Sequence, residues 1–407
     1  MFFFNPEQVA KIRNGQKNRW PLALAFVAAV NFPFAGSVKS FAEPFEAQRS
    51  SLPERLFIPE QRSSVFALTF SPDNTMLASG GYKVEQNKVV GQIQLWDVET
   101  GQPQHSWSSK ESVSALAFSP DGALLASGGG GMVSPNPRGV IQLWDARTGQ
   151  LRLTLKGHTN GVRELLFSPD GGLLASSAEF NKEVCLWSTQ AGALQRTLSF
   201  DQASTVNFSL AWSPQTSSPR YLTAAVTGYQ EGEWDRDIRK PGTGTVELWG
   251  IETTQLQRTL PLEKTYVWKV ALAPDGRIAA GEGGSALERI VRLWDAQTGR
   301  VLCGVPVPQG EFIKSLLFSP DGTTLISANS YKLVSPTNRQ IWNWRVRLWD
   351  VKTGELLKTF EPRQEANFTE KPCSGDWIRA IAVSPNGQML AVAGDHGTVH
   401  LWRIKSA

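Results

Sequence analysis

One short sequence unit occurs seven times along the chain, and a repeat of about fifty residues constrains the fold more than any other feature. Each unit has a turn of the Ser-Pro-Asp type after an alternating apolar segment. The turns are centred on Pro72, Pro120, Pro169, Pro214, Pro274, Pro320 and Pro385. A Leu-Trp pair follows each turn, with tryptophans at Trp96, Trp144, Trp187, Trp249, Trp294, Trp349 and Trp402.

The second unit predicts its own local structure most clearly. Strands are expected at 113–118, 124–127, 140–145 and 150–155, because apolar and polar residues alternate there. In the first turn, Pro120 fixes φ and Gly122 supplies a left-handed position. Each unit is therefore predicted to be a four-stranded antiparallel sheet. Such a small sheet buries its faces only by stacking on its neighbours in a ring.

Ring closure follows from the two ends of the repeat array. The last unit stops one strand short, whereas residues 55–58 form an extra strand before the first unit. Pairing that strand with the last sheet would remove an open edge. We therefore predict an all-β, seven-bladed propeller of four-stranded antiparallel blades over residues 54–407, with 43–53 as a linker and no second domain.

Residues 1–42 have the pattern of an export signal. A basic stretch precedes the apolar run 22–30, and Ser40 and Ala42 place small residues before a cleavage site. The apolar run is too short for a comfortable membrane-spanning helix, so no membrane span is expected. We expect an exported protein with a cleaved leader; the alternative is a disordered extension on a cytoplasmic protein.

The formal net charge of +4 argues for an anionic partner only if the basic residues belong to the folded part. They do not, because residues 1–42 account for the whole excess and the remaining chain is formally neutral. Nucleic-acid binding depends on phosphate neutralisation, so it is not expected here. The expected partner is an unidentified protein bound to a single copy of the propeller.

The Leu-Trp-Asp endings at Asp97, Asp145, Asp295 and Asp350, with Gly157-His158 before the third unit, resemble the WD40 repeat family. The resemblance implies a non-catalytic propeller that assembles proteins. Family blades often contain a hydrogen-bonded network of His, Ser or Thr, Asp and Trp. The position of the Asp, six residues before the Trp, is never Asp in this chain.

Only the third blade keeps a version of that network, with His158, Asn181 and Trp187 in structural roles. Trp96, Trp144, Trp294 and Trp349 are expected to be structural too, and contact between blades should rest mainly on apolar packing.

Sequence insertions concentrate at one end of the predicted ring. They fall at 82–90, 128–138, 229–244 and 331–340, between second and third strands, and at 361–376, between the last two blades. Long loops on a rigid scaffold are usually functional, although tolerated length variation is the alternative. We call this end the loop-rich face and predict that it binds the partner.

Candidate partner-binding residues are those that combine aromatic and charged character on that face. They are Trp234, Asp235, Arg236, Arg239, Tyr82 and Tyr331. The alternative for Trp234 is a ring tucked against its own blade. Trp342 and Trp344 have the strand parity of core residues.

An enzyme with a site assembled at the central channel is the alternative function, because the propeller fold also supports catalysis. Its sequence support is thin. The chain has four histidines, its three cysteines lack metal-ligand spacing, and no nucleophile or phosphate-binding motif is present. No catalytic residue, metal or cofactor is predicted. Ionisable residues that converge on the channel with perturbed pKa values would favour the enzyme.

Overall fold

The fold was analysed in a computed structural model of the 407-residue chain. The structure describes residues 55–57, 63–86, 88–130, 139–178, 181, 183–200, 206–213, 221–228, 244–262, 266–283, 289–334, 340–361, 378–394 and 397–404. The predicted leader 1–42 and the predicted linker 43–53 lie outside the described residues.

Seven four-stranded antiparallel sheets make up the described part of the chain, which contains no helix. The first three blades are β2 Ser63–Phe70, β3 Met76–Glu85, β4 Lys88–Asp97, β5 Pro103–Ser109; β6 Val113–Phe118, β7 Leu124–Gly129, β8 Val140–Asp145, β9 Leu151–Lys156; and β10 Val162–Phe167, β11 Leu173–Ala178, β12 Glu183–Ser188, β13 Leu194–Ser199. The fourth and fifth are β14 Val206–Trp212, β15 Tyr221–Gly228, β16 Gly244–Gly250, β17 Leu256–Pro261; and β18 Tyr266–Leu272, β19 Arg277–Gly283, β20 Arg289–Asp295, β21 Val301–Val307. The sixth is β22 Glu311–Phe318, β23 Thr324–Val334, β24 Gln340–Asp350, β25 Leu356–Phe360, and the seventh combines β26 Ile378–Val383, β27 Met389–Gly394 and β28 Val399–Arg403 with β1 Arg55–Phe57.

The predicted fold class is confirmed, including the closure of the ring. The C-terminal end supplies three strands of the seventh sheet, and β1 adds the fourth through the antiparallel pairs Arg55 with Leu401, Leu56 with His400 and Phe57 with Val399. The first strand of each blade also contacts the first strands of both neighbouring blades. Strand pairing therefore joins the two ends of the propeller within one sheet, which leaves no unpaired edge on β28.

Apolar packing holds neighbouring blades together. Each of the seven hydrophobic clusters combines residues from two adjacent blades, and one of them joins the first blade to the seventh through Leu77 and Leu401. Leu77 is fully buried and Leu401 nearly so. Trp344, one of the two tryptophans predicted to be core, is fully buried between the last two blades.

Short polar turns of fixed shape form the end of the ring opposite the loop-rich face. In the second blade, the Ser119 hydroxyl donates to Asp121 Oδ1 at 2.5 Å, and Gly122 has φ of +72°. The next turn is capped by Asp145, whose Oδ1 accepts from the Thr148 N–H at 2.8 Å. The Asp of the Leu-Trp-Asp endings therefore caps the turn into the outer strand.

Candidate functional site

The loop-rich face is built partly from strands that extend beyond the sheets. In the first blade the predicted insertion at 82–90 is mostly strand, because β3 and β4 stay paired from Met76 with Asp97 to Glu85 with Lys88. In the sixth blade β23 and β24 pair as far as Val334 with Gln340. Two of the expected loops are thus extended hairpins, whose backbone hydrogen bonds give them a defined shape.

β-Bulges mark the first strands of six blades at this same end. The register shifts by one residue between Val65 and Ala67, and equivalent shifts occur in five other blades. The bulged residues are Phe66, Ser114, Arg163, Trp268, Lys314 and Arg379. A bulge redirects one side chain and often lies beside a functional site. We call the part of the loop-rich face where these six bulges lie the channel mouth.

Side chains from different blades meet at this end of the ring. Glu164 of the third blade forms an ion pair with Lys269 of the fifth blade and accepts the N–H of Leu210 at 2.7 Å. Arg379 of the seventh blade lies with its guanidinium 5.4 Å from the centre of the Phe66 ring. The bulges were not predicted from the sequence. In these six strands the bulged residue directly follows a buried Val or Ile, which is a weak sequence signal.

A buried ion cluster lies beneath the sixth-blade hairpin. Glu311, which is 3% exposed, accepts from both terminal nitrogens of Arg347 and from Asn329 Nδ2 at 3.0 Å. Arg345 Nη1 lies 3.3 Å from the same carboxylate, and its Nε also donates to Glu361. This cluster ties the hairpin to the links before and after its blade. Sequence reasoning did not find it, because Glu311 and its arginine partners are far apart in the chain.

The two tyrosines among the predicted partner-binding residues have different environments. The Tyr331 ring is 8% exposed and is covered by the Arg345 guanidinium, 4.3 Å from the ring centre. It therefore stabilises the hairpin and offers little surface to a partner. Tyr82 is half-buried, with its ring 5.6 Å from that of Phe66. The structure thus places Tyr82, but not Tyr331, beside the channel mouth with an accessible side chain.

The other predicted contacts, Trp234, Asp235, Arg236 and Arg239, lie outside the described residues. Most of the insertions at 128–138, 229–244 and 361–376 do so as well. They remain predictions from the sequence.

His158, Asn181 and Trp187 are brought together in the third blade by Ser176. His158 Nε2 lies 2.7 Å from Ser176 Oγ, and Trp187 Nε1 donates to the same oxygen at 2.7 Å. Asn181 Nδ2 lies 3.5 Å from His158 Nδ1. Burial lowers the pKa of His158 to about 4, so the imidazole is neutral at pH 7.

The bond from Trp to Ser also occurs in blades without the histidine. Trp96 donates to Ser79 at 2.9 Å, Trp144 to Ser127 at 2.8 Å and Trp349 to Ser327 at 2.9 Å. Trp294 is buried in the cluster that joins the fourth and fifth blades. The serines were missed in the sequence, although each of them occurs on the second strand of its repeat. These four blades thus combine apolar packing with a polar contact between Trp and Ser.

The described residues contain no group of three or more His, Cys, Asp or Glu side chains able to hold a metal ion. Within the same part of the chain, no helix is long and apolar enough to span a membrane.

Comparison with known proteins identifies the repeat. The family model "WD domain, G-beta repeat" matches residues 54–83, 101–145, 149–188 and 366–403. The chain is 30% identical over 162 residues to the WD repeat-containing protein VIP3 of Arabidopsis thaliana, which covers 39% of this chain and 46% of the relative. It is 26% identical over 175 residues to the small ribosomal subunit protein RACK1y of Oryza sativa subsp. japonica, covering 42% and 43% of the two chains.

A third relative is the WD repeat-containing protein SL1-17 of Schistosoma mansoni, 28% identical over 205 residues, or 50% of this chain and 54% of the relative. The chain thus spans about half the length of the curated relatives it matches. The matched ranges lie in the first three blades and the last one, and the remaining blades repeat the same strand order. The chain therefore contains repeats that match the WD40 family model, and it folds as a seven-bladed β-propeller.

Proposed function

We propose that the propeller is a non-catalytic protein-binding scaffold that holds its partner on the loop-rich face. The observation on which this proposal rests is the difference between the two ends of the ring. In the described residues, one end consists of short, capped turns, whereas the other has two extended hairpins and the bulged first strands. A rigid ring with variable segments at one end suits specific recognition of another protein.

The buried ion cluster supports this choice of face. It links strand β24 to the start of the sixth blade through Glu311, Arg345 and Arg347, so that the base of the hairpin keeps its position when a partner approaches. A pre-ordered surface loses less conformational entropy on binding than a mobile one. Such a cluster therefore favours tight binding without contacting the partner itself.

An enzyme at the channel mouth has less support from the same residues. Burial lowers the pKa of His158, and the His158 ring is hydrogen-bonded to Ser176 inside the third blade. This structural position does not support a role for His158 in proton transfer at the channel. Burial raises the pKa of the Cys185 thiol to about 11, which disfavours the nucleophilic thiolate. Glu164 is engaged by Lys269 and by a backbone N–H. These groups are explained by structural roles.

The test is affinity capture from native extract with matched variants at both ends of the ring. Tyr82→Ala and the double variant Trp234→Ala, Arg236→Ala alter the loop-rich face. Arg147→Ala alters an exposed turn at the opposite end. We expect the loop-face variants to lose partners that both the wild type and Arg147→Ala retain. An unchanged partner set in the loop-face variants, or the same loss in Arg147→Ala, would contradict this choice of face.

We further propose that the protein is exported after cleavage of its leader behind Ala42, which would make Glu43 the new N-terminus. The basic stretch, the apolar run and the small residues before the cleavage site support this proposal. N-terminal sequencing of the mature protein tests it. An intact Met1 would instead favour the cytoplasmic alternative.

A further inference from the structure

A small polar cavity lies within the first blade, at the base of the β3–β4 hairpin. It has a volume of about 10 Å³ and is lined by Ser64 of β2, Ser79 of β3, and Gln92 and Gln94 of β4, together with one valine and two glycines. Ser79 is two positions after Leu77, whose side chain packs against the seventh blade, so the cavity lies on that side of the sheet. The cavity therefore touches three strands of one blade beside the interface that closes the ring.

Differences in side-chain size between blades explain why this cavity exists. The first and sixth blades have the same register between their second and third strands, counted from the pair that contains the tryptophan. The corresponding pairs are Ser79 with Gln94 and Gly81 with Gln92 in the first blade, and Ser327 with Arg347 and Asn329 with Arg345 in the sixth. A glycine and two glutamines thus stand where the sixth blade has an asparagine and two arginines of its buried ion cluster. The shorter side chains leave room in the first blade.

One hydrogen-bond donor on the wall of the cavity is unpaired. Gln92 is 5% exposed, and its Nε2 is buried and finds no hydrogen-bond acceptor among the described residues. Buried amide N–H groups in native proteins are almost always paired, because an unpaired group loses its bonds to water without any replacement. The Gln92 amide therefore requires an acceptor in the cavity that it lines.

The size and the lining of the cavity decide what this acceptor can be. A volume of about 10 Å³ is close to the smallest that holds a water molecule, and it is too small for an organic ligand. Among the described residues that line the cavity, none is charged, so neither an anion nor a metal ion finds a countercharge there. A metal ion would also fail to accept a hydrogen bond from the amide.

We propose that this cavity binds a single structural water, which accepts a hydrogen bond from Gln92 Nε2. A water buried at a polar site makes about three hydrogen bonds, and the polar groups of Ser64, Ser79 and Gln94 supply its other partners. The water links β2, β3 and β4 below the hairpin of the first blade, as the cluster around Glu311 links strands of the sixth blade. This role does not depend on whether a partner protein is bound.

The test is a pair of crystal structures, of the full-length protein and of Gln92→Met, at a resolution that shows ordered waters. Methionine has nearly the length of glutamine but lacks an N–H donor. We expect a water peak within hydrogen-bond distance of Gln92 Nε2 in the wild type and loss of that peak in Gln92→Met. Gln104→Met is the matched control, because Gln104 is exposed on β5 of the same blade and its replacement should leave the peak in place.

Oxygen-17 relaxation dispersion measures the same site in solution, since it counts waters that stay bound to the protein. Gln92→Met should hold one long-lived water fewer than the wild type and Gln104→Met, with circular-dichroism melting curves showing that all three are folded. A wild-type map without a water in the cavity, or with Gln92 Nε2 bonded to a protein oxygen instead, would overturn the proposal even if Gln92→Met does not fold. A peak and a water count that Gln92→Met leaves unchanged would also contradict it.

Discussion

The hydrogen-bonded histidine of the third blade makes the stability of the propeller depend on pH in a specific way. His158 is 4% exposed, and burial lowers its pKa from 6.5 to about 4. Because the folded-state pKa is the lower one, the unfolded chain takes up a proton first as the pH falls. The stability contribution is therefore intact above about pH 6.5, falls between 6.5 and 4, and is constant below that range.

The size of the effect follows from the same two pKa values. At pH 5 the unfolded histidine is almost fully protonated and the folded one almost fully neutral, which corresponds to a loss of about 2 kcal/mol relative to pH 7. The asparagine near the ring explains why no compensating charge is available. Asn181 places its amide nitrogen, not a carboxylate, 3.5 Å from His158 Nδ1.

The assay is urea denaturation of the wild type, His158→Gln and Asn181→Asp between pH 7 and 5. We expect the wild type to lose about 2 kcal/mol more stability than His158→Gln over this range. Asn181→Asp should reduce that loss, because a carboxylate near the imidazolium stabilises its charged form. Parallel curves for the wild type and His158→Gln would refute the reasoning, since other titrating groups affect both proteins alike.

Three further predictions concern the contacts that hold the ring and its hairpins. Glu311→Gln should destabilise the fold by about 3 kcal/mol in urea denaturation, because it leaves Arg347 buried without its countercharge. The control Glu355→Gln removes an exposed charge and should change the stability little. Equal effects of the two variants would contradict the role of the cluster. Gly129→Ala should reduce the stability of the fold by more than about 2 kcal/mol, because its Cβ would lie 1.6 Å from the Ser112 carbonyl oxygen. In the control Gly172→Ala, the Cβ meets nothing closer than 3.5 Å. Similar melting temperatures for the two variants would argue against the close approach at Gly129. Removal of residues 1–57 should lower the melting temperature and promote aggregation, because it exposes the edge of β28. Removal of residues 1–42 retains β1 and serves as the control. Identical melting and light scattering for the two truncations would show that β1 does not close the ring.

The sequence predicted the regular features of the fold because their causes are local. The Ser119-Pro120-Asp121-Gly122 turn contains its own hydrogen-bond donor, acceptor and left-handed residue. Alternating apolar residues fixed the strands on either side of it, and repetition then implied the ring. The closing strand could be inferred because the last unit lacked one strand and the residues before the first unit supplied one.

The site was less predictable because its causes are not local. The bulge at Arg163 depends on which residues of β11 pair with β10, and the ion pair of Glu164 with Lys269 depends on how the third and fifth blades are placed in the ring. Tyr331 was expected to face a partner, but Arg345, fourteen positions later in the sequence, covers its ring. Aromatic character on an extended hairpin indicates a surface only when the cross-strand neighbours are known.

Hydrogen exchange of the propeller, free and bound to its captured partner, tests the choice of face most directly. The account predicts slower amide exchange on binding in the hairpins β3–β4 and β23–β24 and around the bulges at Phe66, Arg163 and Arg379. The capped turns at Asp73, Asp121 and Asp321 should exchange equally in both states. Protection confined to those turns, with no change in the hairpins or at the channel mouth, would contradict the assignment of the loop-rich face as the binding surface.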